Sequence, residues 1–318
     1  MATLQNTTVS TLLKLSPTAI CNCANGYVGI SSTNNRLTYS QTAYAWASSG
    51  AMITGRTNLA SAGTQNSALV FGGSTPTTVA CSENFNGSTW STCTGLITAR
   101  NGLAGAGTTN AALSIGGSTA TTPSALAVTC VQAYNGSSWS TCTGLITARF
   151  FLGGNGTTNA ALAVGGLTPA FTGLACVQSF NGSAWSVSTA TPTTAQNSVV
   201  TVGTQNATLA FGGAPTSNLS YTYNGNGWST SANLIYARFN LSGAGTTNAA
   251  LSFGGCCAVV LACTEIYTGN AWSATAALIT ARNLATGAGT STAALFAGNL
   301  TTTEKFSATG GCASLFTP

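Results

Sequence analysis

The side chains able to do acid–base chemistry are few: three glutamates, Glu83, Glu265 and Glu304, with no aspartate and no histidine in 318 residues. General acid–base catalysis, the common metal sites and hydrolytic triads draw on those residue types. Copper oxidases want histidine ligands and glycosidases paired carboxylates, so the expectation is a protein that is not an enzyme and needs no cofactor. Each glutamate stands two residues before an aromatic and follows an arginine at a matching place, pairing Arg56 with Glu83, Arg238 with Glu265 and Arg282 with Glu304. Arg100 and Arg149 match Gln132 and Gln178 in the same way, and a sixth place holds Gln196 with Tyr221. A buried guanidinium needs a carboxylate or amide oxygen to offset its desolvation. These are therefore expected as structural pairs inside the fold; the alternative is a ring of arginines gripping an anionic ligand.

Cysteine is the other reactive type, with eleven present. Cys81 and Cys93 flank FNGSTW, and Cys130 and Cys142 flank YNGSSW. A hairpin turning at Asn-Gly is expected to bring each pair together for a cross-strand disulfide, which would indicate an oxidising environment. Cys263 has Cys256 or Cys257 as a further option, and Cys312 has Cys21 or Cys23. Buried free thiols are the alternative. Zinc is not expected without histidine or spaced C-x-x-C pairs.

These residues recur because the chain repeats. The six tryptophans, Trp46, Trp90, Trp139, Trp185, Trp228 and Trp272, are spaced by 44, 49, 46, 43 and 44 residues. Ten residues after five of them comes Arg56, Arg100, Arg149, Arg238 or Arg282; WSTCTGLITAR occurs identically at 90 and 139. Then follow a GTTNAAL-like segment, a short apolar run and a glycine pair (Gly72-Gly73 through Gly254-Gly255, with Gly298-Asn299 last). An aromatic (Phe85, Tyr134, Phe180, Tyr223, Tyr267) stands five residues before the next tryptophan. Asn-Gly between strand-like runs signals a hairpin because the turn needs positive φ. Each unit reads as four short strands, carrying in turn the arginine, the glycine pair, the aromatic and the tryptophan, which is a propeller blade. Tryptophan at one place in every blade points to core packing, with sugar stacking as the alternative.

The glycine pair, the aromatic, the NG turn, the Trp and the Arg resemble the kelch repeat over residues ~39 to 307. That resemblance implies an all-β, six-bladed propeller with four-stranded blades; kelch-like propellers serve as binding modules, scaffolds and, in a few cases, oxidases. The last repeat, with Arg282 and Phe306, lacks a Trp strand, whereas Trp46 lacks a preceding aromatic. The strand around Trp46 is therefore expected to join the three C-terminal strands and close the ring, removing an exposed edge. Residues 1–38 form an arm or cap outside the repeat and 308–318 a tail.

Charged residues make up 3% of the chain, for a formal charge of +5, and no basic cluster suggests nucleic acid. No apolar run approaches the ~20 residues of a spanning helix, and the N-terminus lacks the pattern of a signal peptide. The spacing from glycine pair to aromatic varies, at 12, 17, 14, 10 and 12 residues. The loops holding Thr77, Pro123, Phe171 and Asn218 are thus candidate binding loops on one face. The composition, with its resemblance to kelch-like proteins encoded by phages, suggests a structural component of a virion or other extracellular assembly (tail, fibre or capsid appendage), touching other structural proteins of that assembly. The alternative is a surface adhesin or lectin-like propeller that takes a host glycan through those loops.

Overall fold

The computed structural model describes residues 28–30, 37–120, 126–192 and 194–314, with backbone alone for 28–30, 37–42 and 309–314. All described elements are strands. β1 (Val28–Ile30) and β2 (Leu37–Ser49) come first. The first blade contains β3 (Ala60–Thr64), β4 (Ser67–Phe71), β5 (Ser82–Phe85) and β6 (Trp90–Cys93). The second has β7 (Ala104–Thr108), β8 (Ala111–Ile115), β9 (Val131–Tyr134) and β10 (Trp139–Cys142). The third has β11 (Gly153–Thr157), β12 (Ala160–Val164), β13 (Val177–Phe180) and β14 (Trp185–Val187). The fourth has β15 (Val200–Thr204), β16 (Ala207–Phe211), β17 (Ser220–Tyr223) and β18 (Trp228–Thr230). The fifth has β19 (Ser242–Thr246), β20 (Ala249–Phe253), β21 (Thr264–Tyr267) and β22 (Trp272–Thr275). The last strands are β23 (Thr286–Gly289), β24 (Ala293–Gly298) and β25 (Leu300–Ser314).

Each of the five sequential blades is an antiparallel sheet in chain order. The sixth sheet runs β1-β2-β25-β24-β23, so the Trp46 strand closes the ring beside three C-terminal strands. The innermost strands neighbour one another around the ring, and β23 lies against β3. The chain divides into two compact units: the propeller body, Trp46–Ser307, and a second unit of Met1–Ala45 with Ala308–Pro318. In the second unit β1 pairs with the start of β2, Val28 opposite Tyr39 and Ile30 opposite Leu37.

Local chemistry explains the blade. Inner strands such as AGAGT are small because neighbouring blades converge there; a Cβ on Gly243 would stand 2.6 Å from the Phe211 ring. Second strands such as SALVF are buried along four of five residues, having blades on both faces. The glycine pair then turns the chain: Gly72 and Gly73 have φ of 66° and 102°, and a Cβ on Gly72 would meet the Arg100 carbonyl at 2.6 Å. Freed of side chains, these glycines bond the following connector, Gly73 N–H to Arg100 O at 2.8 Å and Gly117 N–H to Arg149 O at 2.9 Å. Asn299 does the same in the closing blade, reaching Arg56 O at 2.6 Å. At the outer hairpin the Asn86 side chain accepts from Ser88 N–H and Thr89 N–H, fixing the Asn-Gly turn.

The closing blade is held within the body by Trp46. Its ring lies 5.1 Å from Phe253 and 5.2 Å from Phe306, and its indole N–H donates to Thr264 Oγ1 at 3.0 Å. Met52 N–H bonds Thr301 O at 2.7 Å, and Thr303 Oγ1 donates to Gly50 O.

One expectation shifts. The arginines do not sit in strands; each lies in the connector entering its blade, four residues ahead of the inner strand in the first two. There a second ring forms. Asn58, Gly102, Phe151, Ser198, Asn240 and Leu284, each two residues past that position, all have positive φ. Gly102 N–H bonds Asn58 O, Phe151 N–H bonds Gly102 O, Ser198 N–H bonds Phe151 O, and Asn58 N–H bonds Leu284 O, at 2.7–2.9 Å. These bonds link successive blades around the axis.

Candidate functional site

The chain's acids all serve one device. Arg56 meets Glu83 at 3.0 Å, Arg238 meets Glu265 at 2.8 Å and Arg282 meets Glu304 at 2.7 Å, all buried. Each arginine also donates to the carbonyl of its blade's own glycine turn and to a second carbonyl, just before the third strand for Arg56 (Gly72 O and Cys81 O) and Arg238 and within it for Arg282 (Thr302 O). Burial pushes the Arg56, Arg238 and Arg282 guanidinium pKa values down, and the facing carboxylates oppose that shift. The carboxylate has a second task. Glu83 accepts Ile53 N–H at 2.8 Å, Glu265 accepts Ile235 N–H at 2.7 Å and Glu304 accepts Ile279 N–H at 2.7 Å.

The glutamines divide that work. Gln132 accepts Ile97 N–H at 3.1 Å and Gln178 accepts Ile146 N–H at 3.0 Å, but neither bonds its arginine. Arg100 instead donates to Ser114 Oγ at 2.6 Å and Arg149 to Cys176 Sγ at 3.3 Å. In the fourth blade Gln196 bonds Ser217, and Tyr221 meets Thr194 rather than Gln196. With the arginines buried and their Nη donors committed inside the blades, a ring of guanidinium groups gripping an external anion does not form.

The tryptophan rings pack within the blades. Each pairs with its blade aromatic, at 4.9 Å for Phe85–Trp90 and 5.1 Å for Tyr134–Trp139. The indole N–H of Trp90, Trp139 and Trp185 donates to Gly50 O, Thr94 O and Thr143 O, four residues past the tryptophan of the preceding blade. Trp46, Trp90, Trp139, Trp185 and Trp272 are buried and Trp228 is half-buried, as core packing of the blades requires.

The disulfide expectation is corrected. Cys81, Cys93, Cys130 and Cys142 are free thiols, as are Cys256, Cys257 and Cys263. In the first hairpin Cys93 stands opposite Ser82, and in the second Cys142 stands opposite Val131. Cys81 and Cys130 are one residue out of register, so strand alternation turns them to the other face. Cys21 and Cys23 lie outside the described residues, and Cys312 among those described by backbone alone.

The connectors and the loops after the glycine turns share one end of the blades, because antiparallel strands alternate direction; the Asn-Gly turns lie at the other end. Of the loop candidates, Thr77 is exposed, and Phe171 is half exposed beside Phe150 at 5.6 Å. Asn218 is half-buried and its carbonyl holds Leu234 N–H at 2.8 Å. Pro123 lies outside the described residues. Sequence reasoning missed a further set at this end. Ile53, Ile97, Ile146, Ile235 and Ile279, each three residues before an arginine, are 49–59% exposed. The residue before each (Met52, Leu96, Leu145, Leu234, Leu278) is buried. The Glu or Gln that receives the isoleucine's amide thus holds one apolar side chain inward and the next outward. Leu126, Phe171, Val259 and Val260, on the loops after the glycine turns, add exposed apolar surface at the same end. The recurring LITAR was the available signal.

A ring of six blades of four strands each, the closing one (β2, β25, β24, β23) built from both ends of the chain and with β1 paired to its outer strand, defines a six-bladed β-propeller. No family model matches the sequence, and no curated protein does. Among solved structures, one titled "Structure of YjhT" is similar at a TM-score of 0.67, with 10% identity over 82% of this chain and 99% of that one. At that identity the likeness concerns the fold alone.

Proposed function

We propose that the protein is a non-enzymatic structural and interaction component of an extracellular assembly, specifically a virion part such as a phage tail, fibre or capsid appendage built on kelch-like repeats. The observation that carries this reading is the row of exposed isoleucines on one end of the propeller, each held out by a Glu or Gln clasp. Monomeric soluble proteins rarely present apolar patches larger than a few hundred Å2 unless something binds there. All three acids of the chain are spent on that display and on the buried ion pairs, which removes the usual acid–base parts. The scarcity of charge elsewhere suits permanent contact with neighbours.

The test uses the native source. A photo-reactive amino acid at position 97 or 146, in protein incorporated into particles, is expected to cross-link to a second particle protein, while the same group at Ser91 on an outer strand is not. If the protein stays in the soluble fraction and no cross-link depends on position 97 or 146, the reading fails.

A further inference from the structure

At the opposite end of the propeller, where the Asn-Gly turns lie, the junction of the fourth and fifth blades departs from its neighbours. A groove of about 540 Å3 opens there, within the roughly 300–1,000 Å3 of typical small-molecule sites. Its wall includes Tyr223, Tyr267, Asn224, Asn248, Asn270 and Ala232. The last of these stands where the first two blades carry a bridging threonine. Four residues past the tryptophan, the first two blades carry Thr94 and Thr143, whose hydroxyls donate to Ser137 O and Ser183 O of the next blade at 2.7 Å. The same position in the fourth blade is Ala232, which has no hydroxyl to reach across. The outer strand β18 is also one residue shorter than β6 and β10.

The indole seam bond is also missing at this junction. The indole N–H that closes on residue 94 or 143 at earlier junctions has no partner in Trp272, although its ring is 93% buried. Trp228, whose preceding strand β14 is likewise three residues long, shares that lack. Buried donors of this kind are costly unless something accepts from them. Trp272, in the hydrophobic cluster that Ala232 packs against, thus carries its unpaired N–H behind the groove wall without lining the groove itself.

We propose that this groove binds a neutral saccharide of about disaccharide size. No charged side chain lines it, so a carboxylated or phosphorylated ligand finds no counter-charge. What lines it are hydroxyls and amides: the exposed side chains of Asn248 and Asn270 supply paired donors and acceptors, while Asn224, whose Oδ1 accepts Asn226 N–H and Gly227 N–H in its own turn, offers its amide N–H groups. Tyr223 donates to Gly225 O at 2.7 Å, which leaves its oxygen to accept, whereas Tyr267 donates to Gly269 O at 2.7 Å and its oxygen already receives the Ser231 hydroxyl at 2.6 Å. Hydrogen bonds from sugar hydroxyls match that arrangement. The site lies at the other end of the blades from the isoleucines and does not depend on the assembly role.

The test titrates the purified full chain with lactose, maltose, cellobiose and N,N′-diacetylchitobiose by saturation-transfer NMR and calorimetry, with 3′-sialyllactose as a charged comparison. At least one neutral disaccharide is expected to bind, and to perturb the indole N–H resonance of Trp272. Ala232→Thr, which restores the bridge to Asn270 O, is expected to weaken that binding at least tenfold. Asn248→Ala and Asn270→Ala, both exposed, are expected to weaken it while leaving the melting temperature unchanged, so a loss is not mistaken for unfolding. The proposal is overturned if none of the four sugars binds at millimolar concentration, if sialyllactose binds with its carboxylate required, or if Asn248→Ala and Asn270→Ala bind as the parent does. None of these results bears on whether the protein belongs to a particle.

Discussion

Replacing the buried glutamates by glutamine separates the two tasks of the clasp, and the blades differ in how they should respond. In Glu265→Gln the amide oxygen keeps Ile235 N–H, as Gln132 keeps Ile97 N–H. The Arg238 Nη2 that loses its carboxylate has a substitute nearby. Ser252 stands fourteen residues beyond Arg238, as Ser114 does beyond Arg100, and its buried hydroxyl lacks a partner. Ser114 accepts Arg100 at 2.6 Å, so Ser252 can do the same after a hydroxyl rotation. In the first blade that place is Val70, and Glu83→Gln leaves Arg56 Nη2 buried without an acceptor. Breaking a buried pair by removing one partner costs about 3–5 kcal/mol, and a charged hydrogen bond contributes about 1.5–3 kcal/mol. The expected losses are therefore about 3 kcal/mol for Glu83→Gln and about 1 kcal/mol for Glu265→Gln. Ser252→Ala alone should be nearly neutral, and with Glu265→Gln it should restore a loss of about 3 kcal/mol, a coupling of about 2 kcal/mol. Urea unfolding followed by tryptophan fluorescence, with m-values compared, measures all four. Equal costs in the two blades, or strict additivity of Ser252→Ala with Glu265→Gln, would refute the reasoning.

Two further outcomes follow from the same geometry. Deleting residues 301–318 removes β25 from between β24 and β2 and takes Phe306 from Trp46; cooperative unfolding should be lost, and an unchanged urea transition would contradict the closure. Among the described thiols Cys257 is exposed, and hydrogen bonds from the backbone at Val259 and Ala258 lower its pKa, whereas burial raises those of Cys93 and Cys142. More thiolate at neutral pH means faster alkylation, so iodoacetamide followed by peptide mapping should mark Cys257 first; a Cys81–Cys93 or Cys130–Cys142 linkage in the unreduced map would defeat this ordering.

How far the sequence reveals the fold depends on what each residue does. Trp, Arg, the glycine pair and Asn-Gly each perform one backbone or packing task in nearly every blade, so their spacing exposes the blade and its closure by Trp46. The cysteines failed by one residue. Phe85 stands opposite Trp90, so a residue four before the aromatic pairs with one four after the tryptophan, and Cys93 is three after. The Arg–Gln match misled for a different reason: a carboxylate serves guanidinium and amide together, whereas Gln132 and Gln178 take the amide and leave the arginine to Ser114 or Cys176. The exposed isoleucines were visible as a period, but spacing alone does not show which of two adjacent apolar residues, Leu96 or Ile97, faces outward. The groove was invisible, because the spacing of the repeat does not show where two blades part; its wall holds Ala232, where earlier blades have threonine, and borders a strand one residue short.

The distribution of charge ties these pieces together. A protein with three acids would ordinarily place them on the surface for solubility; here each is buried at the cost of desolvation. That cost is offset only if the carboxylate takes every available donor, and it does so by accepting the guanidinium together with the amides at residues 53 and 54, 235 and 236, or 279 and 280. The connector is thereby held with its Leu or Met inward and its Ile outward. Replacing the acid therefore loosens the apolar display as well as the blade, while a change at the exposed isoleucine leaves the clasp intact. Stability and presentation of the apolar end are separable by mutation in one direction, from isoleucine outward, and inseparable in the other.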